Sequence, residues 1–472
     1  MNPFDSALEI AAAIRRRDVS PVEVADTYLD RIDALDPGVN AVIWRNDEQV
    51  REAARRAESA VMRGDVVGPF HGVPIPVKNL SNVAGQPNDM SSLAVTDAPR
   101  RATALSIKKL QEAGFLLMGR TNSPELGPLT VTENAKYGRT SNPWDTDYVP
   151  GGSSGGAAAA VAAGFAPVAH ASDGGGSIRV PSSACGLVGL KPSRGRVPQE
   201  VFAWEHSTVE GAITRTVADS AAMLDAMSVT DSLGWYSAPR PERPFAEQAA
   251  EAAGSLRIGL MLEAPTGLPV DPECVDAALA LARLLEAAGH VVAPAVPRLF
   301  SREAIDAFQV IICASVAAGE YTDPSLVAPF ITRRMERARD FNAVQYAAAA
   351  AKLQIESRAI VSQWGGEFDV LLTPTMATTT PKHGVVYEEA NNDPRGEGLT
   401  ALRMISFTSF CNTTGQPAIS LPVHTGANGM PIGAQLVGAP FAEGTLLALA
   451  AQVEAAVNWQ DRLAPLGAGV RP

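Results

Sequence analysis

Cysteine is scarce: four in 472 residues (Cys185, Cys274, Cys313, Cys411), far apart and never as Cys-x-x-Cys. That excludes a disulfide framework and the common zinc spacings, so reduced core thiols are expected. Basic clusters are absent too. Formal net charge is −12, and the one run of cations, Arg15 to Arg17, fits a solvated helix end, so neither nucleic acid nor an anionic membrane is an expected partner. No apolar run is long enough to cross a bilayer: the longest stretch of low polarity, Ala157 to Ala169, is short and rich in alanine and glycine. Asp5 and Glu9 stand where a secretory signal would carry positive charge, and a cytoplasmic protein is expected. Internal repeats and low-complexity tracts are missing as well.

What is present fits a globular enzyme with a large core: hydrophobic residues make up 46% and charged ones 19%. Glycine is concentrated between Gly151 and Pro192, in Gly-Gly-Ser-Ser-Gly-Gly (151–156) and Asp-Gly-Gly-Gly-Ser-Ile-Arg (173–179). These two serine-bearing turns flank an alanine-rich segment (157–164) and a strand-like run (165–171). Glycine permits φ > 0 and lets main-chain amides approach a small ligand, so the turns are where chemistry is expected.

Elsewhere helices and strands alternate. Helices are expected over 4–17, over 21–35 behind Ser20-Pro21-Val22-Glu23 (a capping box with proline at the first helical position), and over 46–63, ended by Gly64. From Val73 to Leu80 an apolar strand carries prolines that suit a sheet edge or strand end, with Lys78 inside it. Further helices are expected at 102–113, 123–126, 217–227 (capped by Thr216), 272–288, 302–319, 341–364 and 443–457. Strands are expected at 115–118, 187–190, 256–262, 368–372, 418–423 and 432–437. This alternation argues an α/β class with a largely parallel sheet. Residues 231–254, with Pro239, Pro241 and Pro244 among charges, are linker-like. A single two-lobed domain over 1–472 is expected, its C-terminal lobe (255–472) sharing the sheet; separate domains joined at 231–254 are the alternative.

Several motifs compete for the chemistry. Ser153 and Ser154 each sit in Gly-x-Ser-x-Gly, but the nucleophile elbow of that pattern needs an apolar strand before it, and Trp144 to Pro150 is loop-like. His206, His290, His383 and His424 lie downstream without an informative setting. A phosphate cradle would require Gly-Lys-Ser/Thr, which does not follow. Ser106-x-x-Lys109 lacks its usual Ser-Asp-Asn and Lys-Thr-Gly companions. Lys78 stands among Ile75, Pro76, Val77 and Leu80. Bringing a lysine from its reference pKa of ~10.4 to 7 takes roughly 4.6 kcal/mol, which full burial can supply. A neutral lysine can activate a hydroxyl where no histidine is placed to do so, although a snorkelling or ion-paired lysine is the other reading.

These residues resemble the amidase signature family. The likeness covers Gly72 to Lys78, Gly119 to Asn122, Pro150 to Gly156, Ser172 to Arg179, Cys185 to Pro192, Thr214 to Asp219, Asn412 to Pro422 and Gly429 to Leu447, in the family's order, with a signature core at about 66–228. It looks closest to bacterial stand-alone amidases and nylon-oligomer cyclic-dimer hydrolases. The resemblance implies a large mixed, twisted β-sheet covered by helices on both faces. It also implies a catalytic set of Lys78 as base, Ser153 as bridging serine in a cis peptide, and Ser177 as nucleophile. Ser153 and Ser177 lie 24 residues apart (153 to 177), as in that family. Amides of Gly174, Gly175, Gly176 and Ser177 would form the oxyanion hole, with Ser154, Asp173 and Arg179 in support. Asn79, Ala157, Gly174 and Ala212 depart from the family's usual Asp, Ser, Thr or Ile, and Pro.

The activity implied is hydrolysis of a small carboxamide through a seryl acyl-enzyme, without metal or organic cofactor. A transamidase subunit acting on glutamine for misacylated tRNA, and a non-catalytic binding subunit, are the alternatives; keeping Lys78, Ser153 and Ser177 together opposes the latter. Phe202, Trp204, Cys313 and Phe341 are candidate pocket residues, and an apolar mouth built from such side chains favours aryl or aliphatic acyl groups. The protein is expected to act without a partner subunit, as a homodimer.

Overall fold

The computed structural model describes residues 1–469. A first sheet holds β1 (Val42–Trp44), β2 (Pro74–Lys78) and β3 (Leu116–Thr121) in the order β1-β3-β2; β3 is antiparallel to β1 and parallel to β2. β2 is therefore an edge strand. Pro74 and Pro76, two residues apart, turn their missing amide hydrogens to the same side, which an edge tolerates. β4 (Glu133–Asn134) and β5 (Gly138–Arg139) form a small hairpin.

Eight strands make the main sheet: β6 (Val168–Asp173), β7 (Val188–Lys191), β8 (Val209–Thr214), β9 (Arg257–Leu260), β10 (Val291–Pro294), β11 (Val370–Pro374), β12 (Ala418–Thr425) and β13 (Pro431–Val437). Their order is β10-β9-β11-β13-β12-β7-β8-β6. Only β10 with β9 and β9 with β11 pair parallel; the other neighbours are antiparallel. The largely parallel sheet expected from alternation is thus corrected to a mixed one. Two causes are visible. The link over 426–430 is too short for a crossover, so β12 and β13 must be antiparallel. β6 and β7, joined through the helix Arg179–Cys185, do run parallel, but β8 inserts between them and opposes both. Strand β8 lay outside the expected set because Val-Glu-Gly-Ala-Ile-Thr places a glutamate and a glycine inside it.

Strands from both sides of 231–254 lie in this one sheet, and the segment itself carries a helix (Phe245–Ala249) whose Phe245 is buried. Successive residues of a strand serve opposite faces. Val370 and Leu372 join a core with Leu281 and Leu285 of helix Pro272–Ala287 and Leu446 of helix Glu443–Val457. Leu371 between them joins Phe407, Phe410 and Ile360 on the other face. Helices thus cover both faces.

Local signals behave as the sequence dictates at several ends. Ser20 forms the full capping box with Glu23, Gly64 ends its helix at φ 78°, and Thr216 accepts from the Asp219 amide. The Asp219 carboxylate has a further partner: it takes the amides of Ala7 and Leu8, fixing the first turn of helix Ala7–Arg16 at its electropositive end. The helix expected over 123–126 is instead a turn, with Leu126 at φ 57° and the Glu125 carboxylate tied to the Ser92 hydroxyl and the Ala328 amide. All four cysteines are buried and unpaired. Among the described residues no helix is long and apolar enough to cross a membrane.

Candidate active site

Lys78 is the last residue of β2 and is fully buried. Its Nζ donates to Ser153 Oγ at 2.8 Å, and to the Oγ and carbonyl of Ser172 at 3.0 and 3.2 Å. Burial pushes its pKa down to about 7, against the opposing pull of the Asp173 and Glu210 carboxylates. A lysine in this state is an ammonium and an amine in comparable amounts near neutrality, which is what a general base requires.

Ser153 follows a cis peptide from Gly152. The glycines around it serve packing against the chain rather than approach to a ligand: a Cβ on Gly152 would lie 2.7 Å from the Val131 nitrogen, and one on Gly156 would lie 2.5 Å from the Asn122 nitrogen. Ser154 ends this turn, with its hydroxyl donating to the Ser172 carbonyl at 3.1 Å. Helix Gly155–Ala162 follows, buried on every side as its small residues allow.

Ser177 lies in the turn between β6 and helix Arg179–Cys185, half-buried, and its hydroxyl bonds no described residue. It lines two cavities, of about 140 and 530 Å³; Ser153 and Ser172 line the larger one with it. Lys78 and Ser153 are thus hydrogen-bonded, and Ser153 and Ser177 face the same space without a bond between them.

Asp173 and Arg179 hold this turn from below. Both are fully buried; Arg179 donates to both oxygens of Asp173, at 3.0 and 2.9 Å. Asp173 also accepts from the amides of Gly176 (2.7 Å) and Ile178 (3.0 Å) and from Asn412 Nδ2 (2.9 Å). Burial alone would raise its pKa, but Arg179 and Lys191 hold it well below the usual carboxylate range. Arg179 reaches on to the Thr408 carbonyl, Gln435 Oε1 and Asn412 Oδ1. One expectation is narrowed here. The Gly176 N–H is already donated to Asp173, whereas those of Gly174, Gly175 and Ser177 bond no other described residue.

A second carboxylate sits behind the lysine. Glu210 of β8 pairs across the sheet with Ser172 of β6. It accepts from the hydroxyls of Ser81 and Ser106 and contacts His170 Nε2 at 3.3 Å. Burial opposes its ionisation, yet these partners bring its pKa down to about 2. Asn79, which departs from the family's usual aspartate, donates to the buried Asp89 at 2.7 Å. Glu210, Ser172, Asn412, Thr408 and Gln435 all escaped sequence reasoning. Ser172, Asn412 and Gln435 carried a signal, since they lie inside the 172–179, 412–422 and 429–447 motifs.

The pocket candidates fare unequally. Trp204 lines both cavities, whereas Phe202 stacks on Tyr236 at 4.7 Å, Cys313 is buried away from either cavity, and Phe341 sits in the turn before helix Ala343–Val361. Cys313 misses the smaller cavity because the face of helix Arg302–Ala317 that meets it carries Phe308, Gln309 and Ile312 instead. His206, His290 and His383 bond Tyr236, Gln452 and Glu133, and no hydrogen bond links them to either serine.

Gly174 explains its own departure. A Cβ there would lie 2.8 Å from the Trp204 ring and 3.3 Å from Thr208. Gly174→Thr is therefore expected to destabilise the protein by about 1–3 kcal/mol, the usual range for overpacking. The double variant with Trp204→Ala should recover most of that loss. Urea unfolding of the two variants checks this; equal stability of Gly174→Thr and wild type would remove the steric reason.

Comparison with known proteins places this geometry. The family model described as Amidase matches residues 23–447. A 6-aminohexanoate-cyclic-dimer hydrolase of Paenarthrobacter ureafaciens is 35% identical over 97% of this chain and 96% of its own. The solved structure of 6-aminohexanoate cyclic dimer hydrolase complexed with substrate superposes with a TM-score of 0.91 at 33% identity, covering 99% of this chain and 100% of that one. A bacterial aryl acylamidase of the amidase signature family superposes at 0.90 with 30% identity, covering 99% of each.

Proposed function

Because this chain belongs to the amidase signature family, we propose that it hydrolyses small carboxamides through an acyl-enzyme on Ser177, with Ser153 as proton bridge and Lys78 as base. The observation that carries the reading is the 2.8 Å bond from Lys78, its pKa lowered to about 7, to a serine that shares a cavity with Ser177. Neutral Lys78 takes the Ser153 proton, Ser153 takes that of Ser177, and Ser177 Oγ adds to the amide carbonyl. The oxyanion is received by the unpartnered amides of Gly174, Gly175 and Ser177. Return of the proton through the same relay to the leaving nitrogen breaks the C–N bond, and water repeats the sequence to release the carboxylate. Asp173 and Arg179 keep the turn rigid, and Ser154 and Ser172 orient the relay from the opposite side. The steps call on side chains and main-chain amides alone.

The smaller cavity is walled largely by Phe300, Phe308, Ile312, Leu353 and Ile405, which suits an acyl group with an apolar body. Medium-chain aliphatic and arylalkyl primary amides are expected to show kcat/KM about tenfold or more above glutamine, with the purified chain active alone. A panel of amides assayed for ammonia release tests this. Preference for glutamine, or activity only on adding a second protein, would favour the transamidase reading instead. Light scattering tests the expected homodimer.

A further inference from the structure

The smaller cavity has one side that is not apolar. Arg334, on helix Pro329–Ala338, is only 5% exposed and lines it together with Ser177. Its Nε and Nη2 donate to one main-chain acceptor, the Gly396 carbonyl, at 3.1 and 2.9 Å. Nη1 bonds no described residue. No described carboxylate lies within 4.0 Å of this guanidinium; the neighbouring Glu397, also on the cavity wall, is spent on Arg337 at 2.9 Å. Gln309, on helix Arg302–Ala317, lines the same space, and its Oε1 is buried without a partner.

Arg334 Nη1 and Gln309 Oε1, on a wall they share with Glu397, Thr130, Thr266, Ser409 and Thr413, have hydrogen-bonding capacity that no described residue meets. Glu397 and Asp393 act on Arg334 only through space, a buried cation without a direct salt bridge is costly, and guanidinium stays protonated under nearly all conditions, so it does not escape by titrating. A buried amide oxygen without a donor costs as well. Both costs fall if a ligand brings complementary atoms. Arg334 asks for an oxygen acceptor, and Gln309 can take an N–H or turn its amide to give a second donor.

We propose that the acyl group taken by this cavity ends in an oxygen acceptor received by Arg334 with Gln309 beside it. The substrates are then amides of medium-length dicarboxylic acids, bearing a second carboxylate or carboxamide, rather than plain alkyl amides. This rests on the amidase reading and names its substrate class. The apolar walls hold the methylene spacer, and the polar pair reads the far substituent. A site built to hydrogen-bond a group discriminates strongly against the analogue that lacks it.

The test compares adipamate, adipamide and hexanamide, which share a six-carbon acyl chain and differ at its end. Wild type should show kcat/KM about 10- to 100-fold higher on adipamate or adipamide than on hexanamide, mostly through KM. Adipamate leading points to a carboxylate, and adipamide leading points to a second amide. Arg334→Met should collapse that ratio about tenfold or more, and Arg334→Lys should restore part of it, which a merely structural arginine would not do. A wild-type preference for hexanamide, or an unchanged ratio in Arg334→Met, overturns the proposal. Should Arg334→Met fail to fold, binding of adipate against hexanoate to wild type, measured by calorimetry, decides: tighter adipate supports the proposal, equal binding overturns it. If no amide at all is hydrolysed, the amidase reading is what fails, and the same calorimetry still judges the cavity.

Discussion

Ser177→Ala should lower kcat on any amide substrate by on the order of 10⁴-fold or more, leaving KM within a few fold. On the proposed mechanism this hydroxyl forms the covalent intermediate, and among the described residues no histidine hydrogen-bonds it or Ser153 to support another route. The loss should come without unfolding: Ser177 Oγ bonds no described residue, and the turn that carries it is held by Asp173 through the amides on either side. A fluorophosphonate should label wild type at Ser177, located by peptide mass mapping, and leave the alanine variant unlabelled. Labelling at Ser153 or Ser154 would show that the relay runs in another order.

Lys78→Met should cost several orders of magnitude in kcat/KM, and the surviving wild-type activity should rise with pH through about 7 as Nζ loses its proton. The same lysine makes a separate prediction for stability. Its folded pKa of about 7 lies below the ordinary value of 10.5. Between the two the unfolded chain binds a proton that the folded chain does not, so raising pH through this window favours the folded state. Wild type should therefore gain stability relative to Lys78→Met as pH rises from 7 to 10, whatever constant cost the substitution adds by taking the Lys78 bond from the Ser153 and Ser172 hydroxyls. Taking the difference between the two proteins matters because Lys191, buried and lowered to about 7 by desolvation and by Arg179, contributes a similar slope to both. Chemical denaturation across that range reads the difference. A flat difference would mean that Lys78 has an ordinary pKa in the folded protein.

The groups to which the proposed mechanism assigns the chemistry are legible in the sequence. Lys78, Ser153 and Ser177 stand in short motifs whose spacing is fixed along the chain, and local ends such as the Ser20 box follow from neighbouring residues. What escaped was set by distant chain. Alternation of helix and strand does not reveal that β8 slips between β6 and β7, and with β8 went Glu210, which sits close enough to bias the lysine. Helical spacing on 302–317 cannot say which face meets the cavity, so the sequence points to Cys313 where Phe308, Gln309 and Ile312 line it. Arg334 is ordinary in a charged helical sequence, and only burial without a direct salt bridge marks it.

The reach of Arg179 has a consequence for how the enzyme comes into being. Its partners Asn412 and Gln435 lie 233 and 256 positions further along the chain, and Asn412 also clamps Asp173. During synthesis Lys78, Ser153 and Ser177 leave the ribosome long before Asn412 and Gln435. A nascent chain that has emerged only as far as β11 holds Lys78, Ser153 and Ser177 but leaves a buried Asp173–Arg179 pair short of its amide partners. The brace around the Asp173–Arg179 pair is therefore completed only by residues that follow β11 in the chain.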